Sequence, residues 1–275
     1  MANERSIYNN RQGLSTREAT LLSEWERRKK TTLRLDELRN LLGHPATAKA
    51  VVNGLLRKKM LRRLGPGIYA IRPFRTLGRQ GSISAAAAAE VLLSTEPHYF
   101  GGLWAFSINH LTEQVYGSVL DAFVTRPHIA RQLENARIAF HVIPDLHLDY
   151  GVTTVTIEDV AVRVSDPERT VLDALDYPSS VGGSAEAFRI VAPILPRLKT
   201  KTLVAYAARG SRNSTCQRLA ILLERLGTPS AQLLPLRSRI AKTHAVTSLV
   251  PGAPRRGRLN KTWRVVENDR LQASA

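Results

Sequence analysis

At 275 residues the chain is long enough for two domains with real cores, and 43% hydrophobic with 23% charged residues is ordinary for a globular protein, so disorder is not the default reading. Forty Lys and Arg against 23 Asp and Glu leave a net charge of +17, which points to a polyanion, either nucleic acid or an anionic membrane surface. The membrane is disfavoured: "MANERSIYNNRQG" lacks the apolar core of a signal peptide, Ala85–Leu93 is broken by Glu90 and too short to span a bilayer, and the single Cys216 forbids an internal disulfide or an all-cysteine zinc site. A cytoplasmic protein is expected.

The charge is segmented. Residues 1–80 hold 18 Lys and Arg against 6 Asp and Glu, residues 81–188 hold 5 against 14, and residues 189–264 hold 16 against Glu224 alone. Two basic blocks flank an acidic one, which random surface charge would not produce.

In the first block, "STREATLLSEWERRKK" opens with Ser15 or Thr16 as a helix cap, has Glu18 three residues after Ser15, and repeats Leu21, Leu22 and Trp25 on one face. "LRLDELRNLLG" predicts a second helix with Leu35, Leu38, Leu41 and Leu42 inward and Gly43 as its stop. Pro45 suits the first turn of a third helix running to about residue 59. "MLRRL" and "IYAIR" then flank Gly65-Pro66-Gly67, a hairpin signal. Three helices and a hairpin in this order predict a winged helix-turn-helix over residues 1–78. Its third helix would enter the DNA major groove and its hairpin would lie against the backbone.

If Ala48, Val51, Val52, Leu55 and Leu56 form the buried stripe of that helix, a turn of about 100° per residue puts Ala46, Ala50, Asn53 and Arg57 opposite, with Thr47, Gly54 and Lys58 on the flank. The small residues Ala46, Ala50 and Gly54 would let the helix approach a groove floor. Asn53 suits an adenine edge and Arg57 a guanine edge or a phosphate. Five cations crowd residues 57–63. The expected DNA contacts are therefore Thr47, Lys49, Asn53, Arg57 and Lys58 on the helix, with Arg62, Arg63, Gly65 and Gly67 on the wing.

Residues 76–82 read as a linker to a second domain, 82–275, with an acidic, sheet-containing part to 188 and a basic helical part from 189. An alanine-rich helix starts near Ser84, and "GGLWAFSINH" predicts a helix from about Gly102 that enters a strand at Gln114 or beyond. "GSVLDAFVT", "ARIAFHVI" and "VTTVTIEDVAVRVS" are β-rich strands of one sheet. "SDPERTVLDAL" restarts helix, with Asp166 or Ser165 as cap, Pro167 in the first turn and Glu168 reaching back. The pattern after Gly182-Gly183 stays helical to Gly227, and "VPGAPRRGRLNKTWRVVEN" is a loop leading to a short strand. The expected class is α+β.

"GPGIYAI", "YFGGLWAFSINHLTEQV", "VSDPERTVLDAL" with its following Gly-Gly, "RLAILLERLG" and a late "LNKTWRV" together resemble the AbiEi antitoxins of bacterial type IV toxin–antitoxin systems, in the right order over residues 30 to 266. One departure is Met60, where such wings often carry a glycine before the first strand. The resemblance implies an autorepressor whose N-terminal domain binds operator DNA at inverted repeats upstream of its own operon. It also implies a C-terminal domain that counters a nucleotidyltransferase toxin, often without a stable complex.

Catalytic readings are weaker. Asp145, His147 and Asp149 in "HVIPDLHLDY" would share one face of a strand and could seat a divalent metal with His141, but a polar loop is the commoner outcome. "GSVLD" lacks the paired carboxylates of a nucleotidyltransferase, no phosphate loop or nucleophile elbow is present, and helix capping explains Asp166 and Glu168. Cys216 sits in an apolar helical pattern. No catalytic residue, metal or cofactor is expected. A one-component regulator sensing a small ligand is the alternative, and a kinase or nuclease targeted by the winged helix stands behind it. Arg255, Arg256, Arg258 and Lys261 in "PRRGRLNK" are candidates for a second polyanion contact, against the plainer reading that the basic block neutralises the acidic one.

Overall fold

A computed structural model describes residues 13–72, 84–133 and 136–268. The linker expected at 76–82 lies outside them. The chain divides into two compact units: Met1–Glu96 with Leu133–Asn135 and Val155–Val162, and Pro97–Gln132 with Ala136–Thr154 and Arg163–Ala275. The first unit thus runs through the alanine-rich helix, where the sequence reading ended its first domain at residue 78.

In the first unit, α1 (Thr16–Arg27) starts at a complete capping box, Ser15 accepting from Glu18 N–H while Glu18 accepts from Ser15 N–H at 2.6 Å. Strand β1 (Thr32–Arg34) leads into α2 (Leu35–Leu42), α3 (Pro45–Arg57), β2 (Leu61–Gly65) and β3 (Ile68–Ile71). The sheet runs β1-β3-β2, both pairings antiparallel. Leu22, Trp25, Leu33, Leu38, Val52 and Leu55 form its core.

Leu41, expected inward, is 65% exposed. Leu35, Leu38 and Leu42 share one stripe of α2, and Leu41 turns about 90° away from it. The Met60 departure has a local account. Lys59 takes the left-handed conformation (φ +58), its N–H donates to Leu56 O, and Met60 N–H donates to Leu55 O. This Schellman ending packs Met60 with Leu55 in the core, so the chain turns into β2 without a glycine. Helix α4 (Ala85–Leu93), capped by Ser84, also belongs to this unit, and Arg34 ties its end by donating to Val91 O at 3.1 Å and to the Ser94 hydroxyl.

The second unit is mixed α/β. Strands β4 (His98–Gly101), β5 (Val119–Val124), β6 (Arg131–Gln132), β7 (Arg137–Val142), β8 (Val152–Ile157) and β9 (Val160–Ser165) form a sheet of order β6-β7-β5-β4-β9-β8, of which Val155–Val162, the adjoining ends of β8 and β9 with their turn, is grouped with the first unit. Its β5–β7 and β4–β9 pairings are parallel, and β4–β5 and β6–β7 antiparallel. The expected single "VTTVTIEDVAVRVS" segment is two strands joined at Glu158-Asp159, both at positive φ as a two-residue type I′ turn requires. Helix α5 (Gly102–Ile108) follows β4, and the strand expected from Gln114 begins only at Val119.

After the sheet come α6 (Pro167–Asp176), α7 (Ser184–Val191), α8 (Thr200–Gly210), α9 (Asn213–Arg225) and α10 (Ser230–Ala241). A small sheet of β10 (Thr247–Ser248), β11 (Arg258–Asn260) and β12 (Val265–Glu267) ends the described chain. Asp166 caps α6 as expected, accepting from Arg169 N–H. Glu168 does not reach back. It stands one position early for a capping box and instead accepts from Lys199 N–H at 2.8 Å. Arg169 is the hub of this core: it pairs with Asp173 at 2.7 Å, donates to Tyr99 Oη at 2.6 Å and to His147 O at 2.9 Å, and lies over the Tyr150 ring. Complete burial pushes the Asp173 carboxyl above its usual range against the pull of Arg169. The "SDPERT" acids are thus structural. Among the described residues, no helix is long and apolar enough to cross a membrane.

Candidate nucleic-acid interface

Helix α3 buries Ala48, Val51, Val52 and Leu55 and half-buries Leu56, so its opposite side is set by the helical period. Ala46, Lys49, Ala50, Asn53 and Arg57 are all exposed. Ala46, Lys49, Asn53 and Arg57 follow one another at spacings of three and four and, with Ala50 beside Lys49, make one continuous stripe, with about 12 Å of axial rise from Lys49 to Arg57. Ala46 and Ala50 keep the stripe shallow beside the side chains of Lys49, Asn53 and Arg57. Thr47 is half-buried at its margin. Arg63 on β2 is also exposed and adds a cation from a second element.

Three of the expected contacts, Lys58, Gly65 and Gly67, have roles inside the fold. Lys58 Nζ donates to Glu18 Oε2 at 2.6 Å, and the Glu18 side chain is only 6% exposed. Burial works to raise the Glu18 pKa, but the bonds from Lys58 and Ser15 outweigh it and hold the carboxyl below its ordinary value. Gly54 is not part of a groove-facing surface either. It is buried, and a Cβ there would collide with Glu18 Oε1. The glycine makes room for the ion pair that joins α1 to α3.

Gly65 and Gly67 shape the hairpin rather than its outer surface. A Cβ on Gly65 would stand 2.6 Å from Leu92 of α4. Gly67 holds φ +68 after Pro66, as the third position of a type II turn requires, and its carbonyl accepts from Leu35 N–H at 2.8 Å. Arg62 is half-buried, and burial together with neighbouring Arg72 pulls its guanidinium below the usual range. Of the expected contacts, Lys49, Asn53, Arg57 and Arg63 are exposed, and Thr47 and Arg62 are half-buried. Sequence periodicity found the stripe. It could not find the Glu18 partner of Lys58, forty residues earlier.

In the second unit, Arg255 donates to Val246 O at 2.7 Å and to Ser248 Oγ at 3.2 Å, and so fastens its own loop. Asn268 holds the same loop through Val250, Ala253 and Pro254. Arg256, Arg258 and Lys261 are exposed on this braced segment. None of the four pairs with a carboxylate among the described residues, whereas Arg209 pairs with Asp149 and Arg189 with Glu186.

The metal reading of "HVIPDLHLDY" dissolves in the geometry. Asp145 and His147 lie in a single 3₁₀ turn, Asp149 pairs with Arg209, and His141 pairs with Asp121. Among the described residues, no three His, Cys, Asp or Glu side chains are grouped to hold a metal ion. Burial pushes the Cys216 thiol up to about 12, the opposite of an activated nucleophile.

No protein-family model matches the chain, and neither does any curated protein sequence. Among solved structures, the fold is similar to that in the crystal structure of the RV2827C protein from Mycobacterium tuberculosis, with a TM-score of 0.62 over 92% of each chain. At 13% sequence identity, that likeness shows a shared α+β fold alone.

Proposed function

We propose that the first unit is a winged helix-turn-helix and that this chain is a DNA-binding repressor of its own promoter. The observation that supports this best is the exposed Lys49–Asn53–Arg57 stripe on α3, the helix that a β1-β3-β2 sheet with this element order presents to a major groove. The net charge of the whole chain favours the same polyanionic partner.

In this reading Arg57 reads a base edge and Arg63 meets a phosphate. Arg57→Ala should cost about 1–3 kcal/mol on the operator and relax specificity at one position. Arg63→Ala should weaken all sequences alike and lower the slope of log affinity on log salt by about one. A gel-shift titration in which neither change alters promoter binding refutes the groove assignment. The finer identity, an AbiEi-type antitoxin countering a nucleotidyltransferase, rests on the sequence resemblance. It is tested by co-expressing the full chain with a nucleotidyltransferase encoded in the same operon and scoring growth; failure to rescue removes the antitoxin reading and leaves the repressor.

A further inference from the structure

The second unit holds a cleft of about 580 Å³ that the DNA-binding reading does not use. Its floor is the β5–β7 pair. The two strands are parallel and directly in register, Val119 beside Arg137, Asp121 beside Ala139 and Phe123 beside His141, so these side chains share one face of the sheet. Asp121 is 4% exposed, and its Oδ1 lies 2.7 Å from His141 Nε2. The imidazole stacks on Phe123 at 4.9 Å and meets Tyr177 edge-on at 6.1 Å, so its plane is fixed on two sides. The carboxylate fits there because its neighbour is Gly102, at φ +61, where any Cβ would collide with Asp121. Burial raises the Asp121 pKa against the hydrogen bond from His141.

Buried carboxylates destabilise unless paired, and a buried, oriented Asp–His couple lining an open cleft is a candidate binding site. An N–H at Nε2 donating to Asp121 leaves Nδ1 of a neutral ring as an acceptor. Ala139 brings almost no side chain to the floor beside Asp121. Arg137, four residues before His141 on the same strand and about 13 Å away by strand rise, is exposed at the rim and lines the same cleft. Ser118 and Ser180 lie along the walls.

We propose that this cleft binds a small organic monoanion that carries a hydroxyl, its anionic group held by the Arg137 guanidinium and its hydroxyl donating to His141, whose ring Asp121 orients. A monoanion matches the one guanidinium among the described lining residues, since the carboxylate inside disfavours a second negative charge. A polyhydroxy carboxylate and a cyclic phosphodiester of mononucleotide size both offer this chemistry. The site is independent of the DNA-binding reading and stands or falls without it.

The test uses the ¹⁵N-labelled full-length chain, with the imidazole signals of His141 assigned by His141→Gln. Sodium gluconate and 3′,5′-cyclic AMP are titrated separately. One of them should move the His141 nitrogens saturably with a Kd below about 1 mM. Gluconate saturation assigns the carboxylate and cyclic AMP saturation the diester. Arg137→Gln, an exposed change, should weaken that ligand about tenfold without moving the His141 signals of the free protein. If neither compound shifts His141, or if Arg137→Gln binds as tightly as the parent, the proposal is wrong. Asp121→Asn, checked by circular dichroism for retained fold, should move the ring proton between the two nitrogens; an unchanged tautomer with unchanged affinity overturns the orienting role.

Discussion

Lys58 separates the structural account from the sequence expectation, because the two assign it opposite work. By sequence it ends the recognition helix as a phosphate contact. In the structure it neutralises Glu18, whose side chain is 6% exposed while that of Lys58 is 30% exposed. Lys58→Met keeps the aliphatic stem and deletes one charge-assisted bond of 2.6 Å, leaving Glu18 held by Ser15 alone. A net charged hydrogen bond contributes about 1.5–3 kcal/mol, and stranding a buried carboxylate keeps the estimate in that range even though Lys58 reaches solvent. Native-state hydrogen exchange reads this locally: the amides of residues 51–55 should exchange about 10- to 150-fold faster. The salt slope of promoter binding should stay where it is, since no phosphate contact is lost. Glu18→Gln added to Lys58→Met should recover most of the protection, because glutamine still closes the capping box and carries no charge to strand. Unchanged exchange together with a slope reduced by about 0.9 would refute the ion-pair account and return Lys58 to the DNA.

The same pair predicts a pH dependence. Glu18 has a folded pKa below its ordinary 4.5, so its contribution is complete above that value and is lost as pH falls below it; the stability gap between parent and Lys58→Met should shrink in acid. Lys59→Gly should stabilise the first unit by about 1 kcal/mol in denaturant unfolding followed at Trp25, because glycine adopts the left-handed C′ conformation without the Cβ penalty. If the exposed cations of the C-terminal loop are a second polyanion contact, replacing Arg256, Arg258 and Lys261 with glutamine should flatten the salt slope of full-length DNA binding by about 2–3 and leave the melting temperature alone. Adding Arg255→Gln should lower the melting temperature, since that side chain fastens Val246 and Ser248.

Most of the helices were legible because each declares itself locally. Ser15 with Glu18, Ser84, and Asp166 with Pro167 are caps whose bonds span three residues, and α3 shows its buried stripe in thirteen residues. The strands that escaped notice lacked a local signature. β1 is three residues long and is defined only by pairing with β3, where Leu33 meets Tyr69 across thirty-odd positions. β4, "HYFG", is buried at all four positions between β5 and β9, so it shows no alternation and reads as part of the apolar run into α5.

The same distinction governs the charges. Periodicity places a cation on a helix face, but its role depends on whether a carboxylate or carbonyl arrives from elsewhere in the chain. Arg57 and Lys58 are adjacent, chemically alike and equally basic in sequence. A rotation of about 100° sends the first to solvent and turns the second toward α1, where Gly54 leaves room for Glu18. Arg255 and Arg256 divide in the same way, the first closing its loop and the second exposed. A clustered charge therefore identifies the kind of partner a surface favours, and only the contacts across the chain decide which members of the cluster are left to meet it.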